Sequence, residues 1–324
     1  MNWRKLQFEH WPWKVVYFPV FLKYLWYSLL ERNLFYFYAT NPSIETGGLL
    51  IESKYHILEK IPKTYLPAMK LVSLDKIKLT KFPIIIKPNY GERGSSVEKI
   101  RNTKEFESYQ KNNPHDRNYI IQEYIDLPFE AGVFYYRLPS EKKGRISSLV
   151  IKEFLTITGD GTSTIKQLMQ QDFRAQEQLL RLQDKFDMNT VLFKGEQLQL
   201  EPIGNHCRGT TFLDGTSQIT KKLGETFDEL AQQIEGFYYG RFDVRAKSFE
   251  ALERGEFKVL ELNGAKAEPA HIYQPQYPVF KAYQSLFFHW KMMRKIAREN
   301  KKSGVTYPSI KEGIQDYKKY KRFH

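Results

Sequence analysis

Cysteine is nearly absent from this sequence of 324 residues, where Cys207 stands alone. One thiol excludes an intrachain disulfide framework and a zinc site built on several thiolates, so a reducing cytoplasm is the expected compartment. A long apolar run is missing as well. The most apolar stretch, Val15 to Leu30, is 16 residues long and carries Pro19 and Lys23, whereas a helix that spans a bilayer needs about 20 apolar residues. No small-residue cleavage site follows it, and Met1 to Lys14 is aromatic and mixed in charge, unlike a secretory leader. No G-x-x-x-x-G-K-[ST] occurs, which excludes a P-loop, and no G-x-G-x-x-G opens a helix after a strand. There is no repeat of fixed period.

What is present is a globular composition, 41% hydrophobic and 27% charged, which can bury a sizeable core and excludes a wholly disordered chain. The net charge of +13 is unevenly spread. Residues 281–324 hold 12 Lys/Arg against 3 Asp/Glu, a net +9, while the first 280 are close to balance. No nucleic-acid-binding module accompanies that basic end, so anionic lipid or plain solvation is preferred over nucleic acid as its partner. Residues 1–40 hold 14 of the 49 aromatics and four of the five tryptophans, with Arg4, Lys5, Lys14, Lys23 and Arg32 interspersed. That mixture suits a lipid headgroup interface at the inner membrane face. It suits equally an arm packed on the protein's own body or on a second subunit.

The middle of the chain reads as strands and helices. Phe82 to Pro88 is a buried β-branched run that ends on Lys87, and Asn89 to Ser96 is a glycine-punctuated loop. Further strands are expected at Val97–Ile100, Tyr119–Ile125, Glu130–Leu138 and Ser147–Ile157. Helices are expected from Thr103, from near Ile165 after a cap at Thr162, Ser163 or Thr164, over Gln170–Lys185, over Thr220–Glu235 and over Phe280–Arg298. The tail beyond is expected to be loosely attached.

The sharpest chemistry lies between Tyr239 and Asn263. Alternation along Tyr239–Lys247 puts Arg241, Asp243 and Arg245 on one face and Phe242, Val244 and Ala246 on the other. In Phe257–Asn263 the same rule puts Glu261 and Asn263 on one face, with Leu260 and Leu262 opposite on the core side. Antiparallel pairing of the two segments brings Asp243, Glu261 and Asn263 together. Two carboxylates and an amide oxygen over an apolar backing form a hard-oxygen site suited to Mg²⁺ in contact with phosphate. Lys87 at a strand end, beside the Gly91–Gly94 loop, adds a point charge for phosphates under a glycine flap.

These pieces resemble the ATP-grasp superfamily of carboxylate ligases. They are Ile-Ile-Ile-Lys87-Pro88 with its flap, Gln122-Glu123-Tyr124-Ile125 with Glu130 seven residues after Glu123, and Arg241-Phe-Asp243 followed by Glu261-Leu-Asn263. They occur in the family's order over roughly residues 50–275. The chain looks most like the D-alanine–D-alanine ligase and the cyanophycin and glutathione synthetase branches, the latter through Gly159-Asp160-Gly161 followed by Thr164-Ile165. The resemblance implies an α+β fold of two subdomains, with antiparallel sheets and helices gripping ATP between them. It implies an arm over 1–45, a first subdomain over 46–126, a second with the metal site over 127–280, and an amphipathic helix with a basic tail over 281–324.

For the residues, the resemblance implies that Lys87 and Lys54 bind phosphate under the flap of Gly91, Arg93 and Gly94. Gln122 and the main chain of Glu123, Tyr124 and Ile125 would meet adenine, and Glu130 the ribose. Asp243, Glu261 and Asn263 would hold Mg²⁺, and Arg241 would steady the transferred phosphoryl group. The implied function is an Mg²⁺- and ATP-dependent ligase that joins a small-molecule or peptide-like carboxylate to an amine through an acylphosphate. The alternatives are a membrane-associated ATP-binding scaffold that has lost the chemistry, and phosphoryl transfer to a non-carboxylate acceptor. Three departures bear on the substrate: the aromatic arm replaces the usual opening domain, Asp243 and Glu261 lie 18 positions apart, and Gly264-Ala-Lys266-Ala-Glu268-Pro-Ala-His271 replaces the usual small-residue loop.

Overall fold

Three isoleucines in a row, Ile84 to Ile86, open a strand that is buried at every position but Ile85, as expected of a β-branched run inside a sheet. The computed structural model describes residues 7–79, 81–91 and 96–323. In chain order its strands are β1 (Met69–Ser73), β2 (Ile84–Pro88), β3 (Glu98–Ile100), β4 (Asn118–Glu123), β5 (Phe129–Tyr136), β6 (Arg145–Glu153), β7 (Thr156–Thr158), β8 (Gln197–Gln199), β9 (Thr211–Asp214), β10 (Tyr239–Ala246) and β11 (Phe257–Asn263). Its helices are α1 (Trp13–Glu31), α2 (Lys54–Glu59), α3 (Thr103–Asn112), α4 (Ile165–Gln171), α5 (Phe173–Glu177), α6 (Leu179–Leu182), α7 (Lys221–Gln232), α8 (Phe249–Glu253), α9 (Val279–Lys302) and α10 (Ile310–Phe323). The class is α+β.

The chain forms two compact units, Met1–Ile151 with Asp214–His324, and Lys152–Leu213. The smaller one is an excursion of the chain that leaves along β6 and returns along β9. It pairs β7 with β8 antiparallel, and packs α4, α5 and α6 around Leu155, Ile157, Met169, Leu182 and Leu200. Thr164 and Gln167 close a capping box at the start of α4, which satisfies two otherwise orphaned donors. The polar stretch expected as one helix over Gln170–Lys185 is broken instead by Asp172, which caps α5.

In the larger unit one sheet has the order β1-β4-β2-β3, and a second runs β11-β10-β5-β6. The first packs Ile84, Ile86, Tyr119 and Ile121 on Phe106 and Tyr109 of α3. The second is covered on both faces. Val133, Phe242, Val244 and Val259 meet Phe227, Leu230 and Leu252 of α7 and α8 on one side. Phe134 and Tyr239, one residue out of step, meet Met293 and Ile296 of α9 on the other, following the two-residue period of a strand. Each buried aromatic or branched side chain there contributes about 1.5–3 kcal/mol.

Helix α1 runs through Pro19, which removes one backbone bond but does not end it. Val16 and Val20 pack with Ile272, Ala282 and Leu286. Further along, Arg294 Nε donates to Glu31 Oε1 at 2.6 Å. The inward face of the arm therefore packs on the body; Trp3, Arg4 and Lys5 lie outside the described residues. The expectation of a loosely attached tail is corrected. Helix α10 is docked, with Gly313 against the Phe35 ring, where a Cβ would come within 2.2 Å, and with Tyr38 Oη donating to Asp316 Oδ2 at 3.1 Å. A small residue at that one turn decides whether the helix can seat.

Candidate functional site

Strand β10 is paired on both sides, so its backbone has little freedom to move the side chains it carries. Asp243 faces Gly132 on β5 and Glu261 on β11, and Arg241 faces Asn263. Asn263 Nδ2 donates to Asp243 Oδ2 at 3.1 Å, and Arg241 Nε and Nη2 donate to the same oxygen at 3.2 and 3.1 Å. Arg241 Nη1 reaches the carbonyl of Glu268 at 3.0 Å. Burial disfavours charge on this guanidinium, but Asp243, Glu261 and Glu268 outweigh it and hold the pKa above the ordinary value. Gly132 is the residue that makes the space. A Cβ there would lie 2.7 Å from Val150 Cγ1 and 3.2 Å from Asp243 Oδ1.

Alternation in β11 is interrupted. Val244 pairs with Val259 and Asp243 with Glu261, so Leu260 is an extra residue with no partner across the ladder. Leu260 is only partly buried rather than facing the core as expected, while Val259 and Leu262 are buried there. The bulge turns the Leu260 carbonyl aside, and it accepts from Lys87 Nζ at 2.9 Å. Bulges commonly re-aim groups in this way beside functional sites. Lys87 also donates to Gln122 Oε1 at 3.1 Å, and Gln122 Nε2 reaches the same Leu260 carbonyl at 3.4 Å. Lys87 is buried, and desolvation lowers its pKa to about 8, with Lys54 pushing the same way and Glu261 and Asp243 opposing.

Lys54 is brought near by a polar staple. Asn89, which follows β2, accepts from Ser53 Oγ and the Tyr55 amide at 3.0 Å each, and its carbonyl accepts the Lys54 amide at 3.1 Å. Lys54 Nζ donates to the Gly91 carbonyl. Arg93 and Gly94 lie outside the described residues. The other expected nucleotide contacts sit as follows. The Glu123 amide donates to Ala68 at 2.8 Å. Tyr124 lies under Lys99 and Arg245, and the Ile125 carbonyl accepts from Arg245 Nη1 at 2.8 Å. Glu130 is turned toward Arg245, whose Nε donates to it at 2.7 Å, and both side chains are 4% exposed. The structure thus brings Lys87, Lys54, Gln122, Arg241, Asp243, Glu261 and Asn263 together, and holds Glu130 in an ion pair across β5 and β10.

Two groups escaped sequence reasoning. Glu52 is buried and paired with Lys266 at 2.7 Å, behind the turn at Gly264. Burial raises its pKa, with Lys266 the main opposing influence. The two are more than two hundred positions apart, so no local spacing links them. The second is Glu268, whose carboxylate accepts from Tyr17 of α1 and from Tyr273 at 3.0 Å. Burial, then the Glu268 charge, pushes both tyrosines well above their usual range.

Among the described residues no group of three or more His, Cys, Asp or Glu converges on one point. The donor set is therefore two carboxylates and one amide. Hard oxygens of this kind fit a divalent cation that keeps other ligands from water or phosphate, as Mg²⁺ does.

No family model and no curated protein matches this sequence. Solved structures do. Among the solved structures it is similar to are two ligases and a synthetase. One is D-alanine–D-alanine ligase from Bacillus anthracis, with a TM-score of 0.45 and 13% identity over 78% of this chain and 69% of the other. Another is the VanG D-Ala:D-Ser ligase from Enterococcus faecalis, with a TM-score of 0.42 and 14% identity over 76% and 61%. A third is a bifunctional glutathione synthetase from Pasteurella multocida, with a TM-score of 0.37 and 14% identity over 73% and 36%. The chain thus spans about three fifths of the VanG ligase and about a third of the glutathione synthetase.

Proposed function

We propose that this chain is an Mg²⁺- and ATP-dependent ligase that joins a carboxylate to an amine through an acylphosphate, releasing ADP and phosphate. One observation carries the reading: Lys87 is tied to β11 at Leu260, next to the residue that faces Asp243, so cations and carboxylates from two sheets meet at one place. A carboxylate resists amines because its charge repels them and oxide cannot leave. Attack of a carboxylate oxygen on the γ-phosphorus breaks the bond to ADP and cures both faults. The amine then attacks the acyl carbon, phosphate departs with the bonding pair, and the proton the nitrogen sheds goes to that phosphate.

Asp243, Glu261 and Asn263 would hold Mg²⁺, which when bound neutralises phosphate charge. Lys87 offers a buried ammonium to phosphate oxygens, with its other bonds already fixed by Gln122 and Leu260. Lys54 supplies a second cation beside the loop at Gly91. Arg241, oriented by Asp243 and the Glu268 carbonyl, faces the place where phosphoryl charge develops, and such preorganised donors stabilise transition states most. Gln122 and the Glu123–Ile125 segment border this group of cations and would receive the base, with Glu130 and Arg245 bracing the segment's end. We place the reaction in a reducing cytoplasm.

The test is product analysis with a panel of carboxylic acids. ADP with phosphate, and a hydroxamate trapped by hydroxylamine, are expected. AMP with pyrophosphate would overturn the reading in favour of adenylation, and ADP release without a trappable acyl group would favour a non-carboxylate acceptor. ATP binding without turnover on any acid would favour the scaffold.

A further inference from the structure

Helix α1 is apolar over most of its circumference, with Lys23 and Glu31 turned to Phe287 and Arg294 of α9, yet the body covers only half of it. Val16, Val20, Tyr27 and Glu31, on one face at helical spacing, are buried. The other face carries Phe18, Leu22, Leu25, Trp26 and Leu29, between 40% and 68% exposed. No charge interrupts that face; the exposed cations are Lys14 at its start and Arg32 just past its end. A contiguous exposed apolar patch of this kind marks an interaction surface. The helix is nonetheless not long and apolar enough to cross a membrane.

The docked tail continues the surface. Asn33 Nδ2, two residues past α1, donates to the Pro308 carbonyl at 2.9 Å, two residues before α10. Along α10, Ile310, Ile314 and Tyr317 form a second exposed stripe at helical spacing, flanked by exposed Lys311, Lys318, Lys319, Lys321 and Arg322. Apolar rings and branched chains therefore sit beside a concentration of positive charge.

We propose that α1 and α10 together form a docking surface for an anionic lipid bilayer, with the apolar stripes entering the headgroup–acyl boundary and the lysines meeting lipid phosphates. Charge complementarity selects this occupant over a second copy of the chain. A dimer through this face would draw together two copies of α10, each with five Lys/Arg against two Asp/Glu, a net +3, whereas an anionic surface neutralises them. The surface stands whether or not the proposed ligase chemistry does.

Flotation of the full chain with vesicles tests it. Binding is expected on phosphatidylcholine mixed with phosphatidylglycerol, weakening as salt is raised, and with little binding to phosphatidylcholine alone. The variant Phe18→Ser/Leu22→Ser/Leu25→Ser should lose binding by at least about tenfold, with an unchanged melting temperature because all three side chains face out. Lys318→Gln/Lys319→Gln/Lys321→Gln should weaken binding to the anionic vesicles while leaving the apolar contact. Brominated lipid should quench the wild type's tryptophan fluorescence, and Trp26→Phe should remove most of that quenching. No binding to anionic vesicles at low salt, equal binding by the serine variant, or equal binding to neutral vesicles would overturn the proposal. So would a dimer in light scattering that the serine variant dissolves.

Discussion

Raising the pH from 7 to 9 should weaken ATP binding, because Lys87 carries its proton on a reluctant group. Desolvation brings its pKa to about 8, with Lys54 acting in the same direction and Glu261 and Asp243 opposing it. At pH 7 about nine in ten molecules hold the ammonium, and at pH 9 about one in ten. If only the charged form meets the phosphates, affinity falls roughly tenfold across that interval. The bound polyphosphate draws Lys87 back toward its ordinary value, so binding above pH 8 must take up a proton. Calorimetry in buffers of different ionisation enthalpy reads that proton directly. The free protein moves the other way. Its unfolded chain binds more protons between about 8 and the ordinary 10.5, so this group's contribution makes the nucleotide-free fold more stable as pH rises through that window. Lys87→Arg, always charged, should flatten both curves. A pH-independent affinity with no proton uptake in the wild type would refute the reasoning.

Glu261→Gln should leave the melting temperature within a few degrees and lower Mg²⁺-dependent turnover by orders of magnitude, since the lost group neutralises phosphate rather than packing. Asp243→Asn should lower turnover as far but also lower the melting temperature, because it removes the carboxylate that holds Arg241; full activity of either with Mg²⁺ as the sole metal would refute the assignment. Arg245→Met should destabilise the fold by about 3–5 kcal/mol in denaturant titration, because it strands the Glu130 carboxylate, itself 4% exposed. Gly132→Ala should cost about 1–3 kcal/mol and disturb the Arg241–Asp243 pair, as a Cβ there meets Val150 and Arg241 Cδ at 2.7 and 3.1 Å; an unchanged midpoint would show that the strand can shift to admit it.

The period-two alternation of Tyr239–Ala246 was legible in the sequence, and so was the antiparallel partner Phe257–Asn263, because burying one face of a strand fixes the direction of every second side chain. The hard-oxygen set Asp243, Glu261 and Asn263 followed from that alone. Helix starts were legible to within a residue or two: Thr164, one of three candidates before Ile165, is the cap, whereas Asn102 rather than Thr103 caps α3. Tertiary structure decided the rest. The bulge at Leu260 has no signature in a run of alternating Leu and polar residues, since it is set by which partner residues the neighbouring strand offers. It is this bulge that frees a carbonyl for Lys87 and so ties one sheet to the other. Glu52 with Lys266, and Tyr17 with Glu268, join positions more than two hundred apart. The aromatic arm shows the same division. Its composition marked it as surface-seeking, but only the packing of Val16 and Val20 on Ile272, Ala282 and Leu286 decided which face it keeps for the protein and which it leaves to solvent.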